Sequence, residues 1–314
     1  MNTQMQGHLA MLAFSALVAG SFSLGAIMAN DISPVAFTAV RFWLAAMLVG
    51  LLVAAGRGGG RKSALGKASE APWRYAVLGG LFAIYFVLMF EGLKTAPPVS
   101  AAAVFTLVPA MAAGFAYVLL RQILTRRMAL ALGIGAAGAL WVIFRGQIAA
   151  FVAVDVGRGE AIYFLGCVSH ALYTPMVRRL NRGEGPAVFA LGTLLAGALI
   201  LTVYGWGEIR ATDWSALPTR VWVALIYVSV FASAVTIVLL QFATLRLPSA
   251  KVMAYTYLTP SWVIVWEIAL GNDAPGLIVL GGIGLTVLAL VLLLRDDDPR
   301  VVQEFREPGP ARTR

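Results

Sequence analysis

Charge is scarce in this sequence. Asp, Glu, Lys and Arg make up 12% of its 314 residues, only 15 of which are acidic, while 60% are hydrophobic. Globular domains carry about 25% charged residues and roughly 45–50% apolar ones. A water-soluble fold of this size cannot hide the difference, because many of its residues still border solvent. A soluble globular protein is therefore excluded.

Cysteine and histidine are scarcer still. Cys167 stands alone, so no disulfide forms within the chain. His8 and His170 are the two histidines and lie too far apart in sequence to suggest a metal pair. There is no phosphate-binding glycine loop, no nucleophile elbow, no HExxH and no pair of carboxylates in mid-segment. An enzyme has nothing to work with here, and neither cofactor nor metal is expected.

What the sequence has is apolar residues in blocks of about 20, the length needed to cross roughly 30 Å of hydrocarbon. Ten such spans are predicted, at 8–28, 34–55, 73–94, 97–120, 128–144, 159–178, 186–204, 219–243, 249–270 and 276–294. The chain reads as an all-α membrane protein. From Arg295 the polar, proline-containing "RDDDPRVVQEFREPGPARTR" reads as a disordered tail, 295–314.

The net charge of +9 suggests nucleic acid until its placement is considered. With the N-terminus in the cytoplasm, 18 Lys and Arg fall in inner connections and the tail, and five fall outside (Lys94, Arg145, Arg158, Arg210 and Arg220). Arg41, well inside span two, is the remaining one. That bias is the positive-inside pattern and predicts two cytoplasmic termini. Its partner is a lipid bilayer, with no call on nucleic acid.

The sequence also repeats itself. "SPVAFTAV" at 33–40 matches "GPAVFALG" at 185–192, and "LKTAPPVSAAAVFTLVPA" at 93–110 matches "TLRLPSAKVMAYTYLTPS" at 244–261. Pro97 and Pro109 then correspond to Pro248 and Pro260, with the same spacing in each half. The unit contains five spans, an odd number, so the second copy enters the membrane from the opposite side. Such inverted repeats place substrate sites near the midplane between the halves. The division expected is 1–150 for the first repeat and 151–294 for the second.

These features together resemble the EamA-type branch of the drug/metabolite transporter superfamily: two five-span halves, the arginine of "AVRFWLAA", and a proline opening and a proline within spans four and nine. Within that branch the sequence is most similar to the YddG-type exporters of aromatic amino acids. One departure is the missing Gly-Glu pair after spans four and nine, where this chain has "LLRQIL" and "ALGNDAP". The resemblance implies a monomeric carrier of small molecules in a bacterial inner membrane. It also implies a central cavity between the halves, lined by spans 1, 3, 4, 6, 8 and 9, and alternating access.

His170, near the middle of span six, is the sharpest cavity candidate, since an ionisable group at that depth is a functional signal. Tyr173 beside it, Tyr85, Phe105, Tyr257 and Trp262 complete the expected lining, with His170 and Tyr173 facing Tyr85, Phe105 and Tyr257. Pro109 and Pro260 are candidate gating positions. Arg41, about 10 Å below the outer end of span two, has three readings. It snorkels outward or bonds a carbonyl at a helix break; it closes an outer gate against Glu91 or Glu267; or it meets a substrate carboxylate. The leading expectation is a facilitator or exporter of amino acids, aromatic ones included. A proton-coupled efflux pump is the alternative, weakened by the lack of a mid-span carboxylate.

Overall fold

The computed structural model describes residues 3–55, 71–122, 125–144 and 156–295. The tail beyond Arg295 and most of the 56–72 connection lie outside the described residues. Described elements are helical: α1 (Thr3–Met28), α2 (Pro34–Ala54), α3 (Trp73–Leu93), α4 (Pro98–Phe105), α5 (Val108–Leu120), α6 (Arg126–Ile143), α7 (Arg158–Leu180) and α8 (Pro186–Tyr204), then α9 (Trp206–Ala211), α10 (Thr219–Ser229), α11 (Thr236–Thr244), α12 (Ser249–Ala254), α13 (Thr259–Ala269) and α14 (Leu277–Leu294).

Eight described stretches are long and apolar enough to cross a membrane: Gln4–Met28, Pro34–Ala54, Trp73–Leu93, Pro98–Leu120, Arg126–Ile143, Pro186–Tyr204, Thr219–Thr244 and Leu277–Leu294. Two expected spans differ in kind. Helix α7 has 23 residues but carries Arg158, Glu160, His170, Arg178 and Arg179. Residues 249–269 are long enough but broken in the middle. The short helix α9, in the connection after α8, was not foreseen.

Prolines set the helix starts. Pro34, Pro98 and Pro186 occupy first helical positions, where a missing N–H is no loss. Ser33 caps α2 by accepting from the backbone N–H of Val35 and Ala36. The prolines inside spans four and nine break them at matching places. Pro109 has no N–H to offer the carbonyl of Phe105, and its ring crowds that carbonyl, so an α-helix cannot run through. The chain tightens instead: Thr106 and Leu107 donate to the carbonyls of Ala103 and Val104, three residues back, at 3.0 Å each. Pro260 does the same after a 3₁₀ turn at Tyr255–Leu258. Pro97 and Pro248, ahead of these segments, have nearly identical extended backbones. The matched sequences therefore adopt matched structures.

A third irregularity has no proline behind it. Val230–Val235, between α10 and α11, is a π-helical turn, a form that concentrates at functional sites.

Helix α3 packs on α7 and α8, α8 on α2, and α5 on α7. Small residues permit the close crossings. A Cβ on Gly79 would lie 2.5 Å from the backbone nitrogen of Gly197, and one on Gly138 2.7 Å from the carbonyl oxygen of Gly282. Gly138 and Gly282 thus let α6 and α14 approach closely. The outer face of α14 exposes Leu277, Ile278, Leu280, Leu285, Leu288 and Val291, as a lipid-facing helix would.

Candidate functional site

Helix α3 buries Phe82, Tyr85, Phe86 and Met89 on one face, at i, i+3, i+4 and i+7. Helix α7 presents Tyr163, His170 and Tyr173, and α4 contributes Phe105 as its last residue before the break. These rings meet around His170. Its imidazole stacks on Tyr85 with centroids 4.3 Å apart, lies 5.6 Å from Phe105, and runs nearly parallel to Tyr173 at 6.0 Å. Phe82 stacks on Tyr173 at 5.0 Å, and Phe22 from α1 reaches Phe105 and Tyr163. The hydroxyls of Tyr85 and Tyr163 are 3.1 Å apart.

Two features separate this cluster from ordinary packing. His170 is 1% exposed, yet among the described residues neither ring nitrogen has a hydrogen-bond partner. Buried polar atoms are usually paired, and leaving one unpaired costs about 1–3 kcal/mol. Both halves of the chain also meet here, α3 and α4 from the first and α7 from the second, and Gln241 Nε2 of α11 donates to the Tyr173 hydroxyl at 3.1 Å, leaving Gln241 Oε1 unpartnered.

The structure brings together His170, Tyr173, Tyr85 and Phe105. It places Tyr257 elsewhere. That ring rests on Gly135 of α6, where a Cβ would fall 2.3 Å from it, and its backbone carbonyl accepts from Thr286 of α14. The 3₁₀ turn advances about 120° per residue where an α-helix advances 100°, so a helical face counted through 255–258 drifts toward the peripheral pair. Trp262 is part-buried at the edge of the core with an unpartnered indole N–H. Phe86, beside Tyr85, stands out in the sequence as an aromatic at depth in span three; Phe82 and Phe22 do not. The i−3 spacing of Phe82 from Tyr85 was the available signal.

Arg41 is fully buried. Its Nε donates to Ser233 Oγ and its Nη2 to the carbonyl oxygen of Ala232 at 2.8 Å, both in the π turn, while its Cζ lies 3.6 Å over the Phe86 ring. Of the readings open at the sequence level, bonding a carbonyl at a helix break matches this geometry. The outer gate pairing with Glu91 or Glu267 is not formed. Glu91 pairs with Lys94 at 2.6 Å, one turn along its own chain, and Glu267 accepts from Asn272. Each acid has a partner closer in sequence, and Arg41 is held inward by the π turn.

Two further ion pairs occupy corresponding positions in the two halves. Arg74, second residue of α3, bonds Glu184 in the connection before α8. Arg220, second residue of α10, bonds Asp31 in the connection before α2 through two contacts of 2.6 and 2.7 Å. Each joins one half of the chain to the other. Burial pushes the Glu184 carboxyl up, but hydrogen bonds from Arg74 and the backbone N–H of Arg182 outweigh it and hold the group below its ordinary range. The hydrogen bond from Arg220 lowers Asp31 likewise.

Apolar helices in two halves, broken at matched prolines around a buried cluster of rings, define a multi-pass helical membrane protein. The chain belongs to the EamA-like transporter family, whose pattern it matches twice, over residues 5–144 and 157–295. It is 27% identical over 286 residues to the uncharacterized transporter YyaM of Bacillus subtilis (strain 168), across 90% of this chain and 92% of that protein. A protein of known crystal structure, 20% identical, shares the fold with a TM-score of 0.69 over 93% of this chain and 96% of its own.

Proposed function

We propose that this transporter carries small amphiphilic metabolites, aromatic amino acids foremost, by alternating access between two inverted five-span repeats. The observation that carries the reading is the His170 cluster: four buried rings from α3, α4 and α7, with polar atoms awaiting partners. Rings that now stack on one another can stack instead on an aromatic solute that parts them, at roughly 0.5–1.5 kcal/mol per pair beyond area burial.

In this reading α7 and residues 249–269 serve as the sixth and ninth spans, and the basic bias places both termini in the cytoplasm of a bacterial inner membrane. Cysteines at Arg182 and Asp213, both exposed, then label from opposite sides, while native Cys167 is buried and silent. Labelling of both from one side would end the inverted arrangement. The two ion pairs, Arg74–Glu184 and Asp31–Arg220, sit at opposite ends and hold them closed in turn. With both formed and the rings packed, the geometry fits an occluded form, and the carrier works as a monomer.

Transport follows the solute gradient. Among the described residues the buried carboxylates are Glu160, in the first turn of α7, and Glu184, in a connection; neither lies at mid-span, where a proton-coupled pump commonly carries one. Proteoliposomes loaded with labelled phenylalanine, tyrosine, leucine and small metabolites test this. Exchange of the aromatic solutes that persists after the pH gradient is collapsed is the expected result. Exchange of none of them, or complete loss with the gradient, would replace this reading with another solute class or with proton-coupled efflux.

A further inference from the structure

Arg41 carries a positive charge with no acid beside it. Among the described residues the ion pairs are Arg74–Glu184, Lys94–Glu91 and Arg220–Asp31, and Arg41 belongs to none. Its guanidinium is fully buried, and its third nitrogen, Nη1, has no hydrogen-bond partner. A guanidinium does not deprotonate to escape burial. One hydroxyl, one carbonyl and one ring face offset part of the desolvation, yet a buried ion is compensated fully only by an opposite charge with its remaining hydrogens bonded.

Position supplies the rest. Phe86, beneath the guanidinium at 3.6 Å, lies 4.6 Å from Tyr85, and Tyr85 is the ring stacked on His170. The charge and the ring cluster are therefore contiguous. Ser229, four residues before Ser233, adds a buried hydroxyl that is also without a partner. A single cation is too little for a phosphate, which collects several basic groups, but the unpaired nitrogen of one guanidinium matches a single carboxylate.

We propose that Arg41 is the carboxylate anchor of the transport site, so that the solute is a monocarboxylate whose apolar end lies among Tyr85, Phe105 and His170. This rests on the function proposed above and narrows it: the carboxylate, not the amino group, is what the protein requires. Arg41 leaves Ser233 and Ala232 in place and offers Nη1 to the solute. Charge-assisted hydrogen bonds of this kind are worth about 1.5–3 kcal/mol, which corresponds to about tenfold or more in affinity.

The test compares acids with their amides on the purified full-length protein, by ligand-dependent shifts of melting temperature and by competition in proteoliposomes. The probes are phenylalanine against phenylalaninamide, 3-phenylpropionate against its amide, and leucine against leucinamide. Wild type is expected to prefer each acid about tenfold or more. Arg41→Gln should bring each ratio to about one, and Arg41→Lys should restore part of it. A merely structural arginine would lower stability in Arg41→Gln and leave the ratios as they were. The wild-type comparison stands even if Arg41→Gln does not fold. Acids and amides bound alike by wild type would overturn the anchor while leaving aromatic transport intact. Preference for leucine and other aliphatic acids with no aromatic binding would keep the anchor and overturn the aromatic reading. No binding by any acid would overturn both.

Discussion

Arg74 and Glu184 form an ion pair of 2.7 Å whose side chains are 1% and 0% exposed. Arg74 also donates to the carbonyl of Leu180 at 2.6 Å, and Tyr75 adds its hydroxyl to Glu184. The pair ties the start of α3 to the connection between α7 and α8, so two distant parts of the chain depend on it.

Removing one partner leaves a buried charge uncompensated, and Arg74→Ala is expected to cost about 3–5 kcal/mol. Because the Glu184 carboxyl is held below its ordinary range, its contribution is complete above the unfolded value near pH 4.3 and is lost as pH falls through the folded value. Melting of wild type and Glu184→Gln in detergent, followed from pH 7 to pH 3, should therefore differ most at neutral pH and converge in acid. A constant difference across that range would show that the charge on Glu184 contributes nothing.

The corresponding pair at the other end is far wetter, with Arg220 55% and Asp31 18% exposed. Exposed pairs contribute roughly 0–1 kcal/mol and weaken with salt. Asp31→Asn should then cost no more than about 1 kcal/mol at low salt and nothing measurable at 1 M. A loss as large as that of Arg74→Ala would mean that the two ends are held equally tightly.

Glycine placement gives a contrast between sites of one residue type. Gly79→Ala drives a methyl into the backbone of α8 at Thr193 and Gly197, and is expected to cost about 1–3 kcal/mol. Gly133→Ala on α6 meets nothing within 4 Å and should stabilise by up to about 1 kcal/mol through helix propensity. Thermal melting of the two variants in one detergent decides. Equal behaviour would contradict the α3–α8 crossing.

Pro109→Ala restores an N–H that can reach the carbonyl of Phe105 and lets α4 and α5 run together. Stability should hold or rise, while transport slows several-fold because the segment can no longer bend at the break. Hydrogen exchange over 105–111 reports the change. Unaltered turnover with greater protection there would show that the break is not used in transport.

Much of the fold was legible in the sequence because apolar blocks and prolines act locally. Pro97, Pro109, Pro248 and Pro260 marked starts and breaks that the backbone follows within a residue or two. The π turn at Val230–Val235 was not legible: "VFASAV" holds neither proline nor glycine, and Arg41, from another span, is what bonds its free carbonyl. The expected span 159–178 forms helix α7, but charge at its ends and histidine at its middle leave it less apolar than the other blocks. Tyr85, Phe105, His170 and Tyr173 could be grouped by depth along their spans. Tyr257 could not, since depth does not reveal the angular shift of a 3₁₀ turn. The two ion pairs between halves join residues 110 and 189 positions apart, and no local pattern announces them.

The most direct measurement is competitive counterflow in proteoliposomes with Tyr85→Ala, His170→Ala and Trp141→Ala set against wild type. Trp141 on α6 is 40% exposed, and its indole N–H donates to the carbonyl of Ile278 on α14. If the His170 rings hold the solute, the first two variants should lose preference for phenylalanine and tyrosine over leucine and alanine by about tenfold, the worth of one to two ring contacts, and Trp141→Ala should keep it. Wild-type preference in both Tyr85→Ala and His170→Ala, with normal insertion and melting, would contradict the central site and place the solute elsewhere.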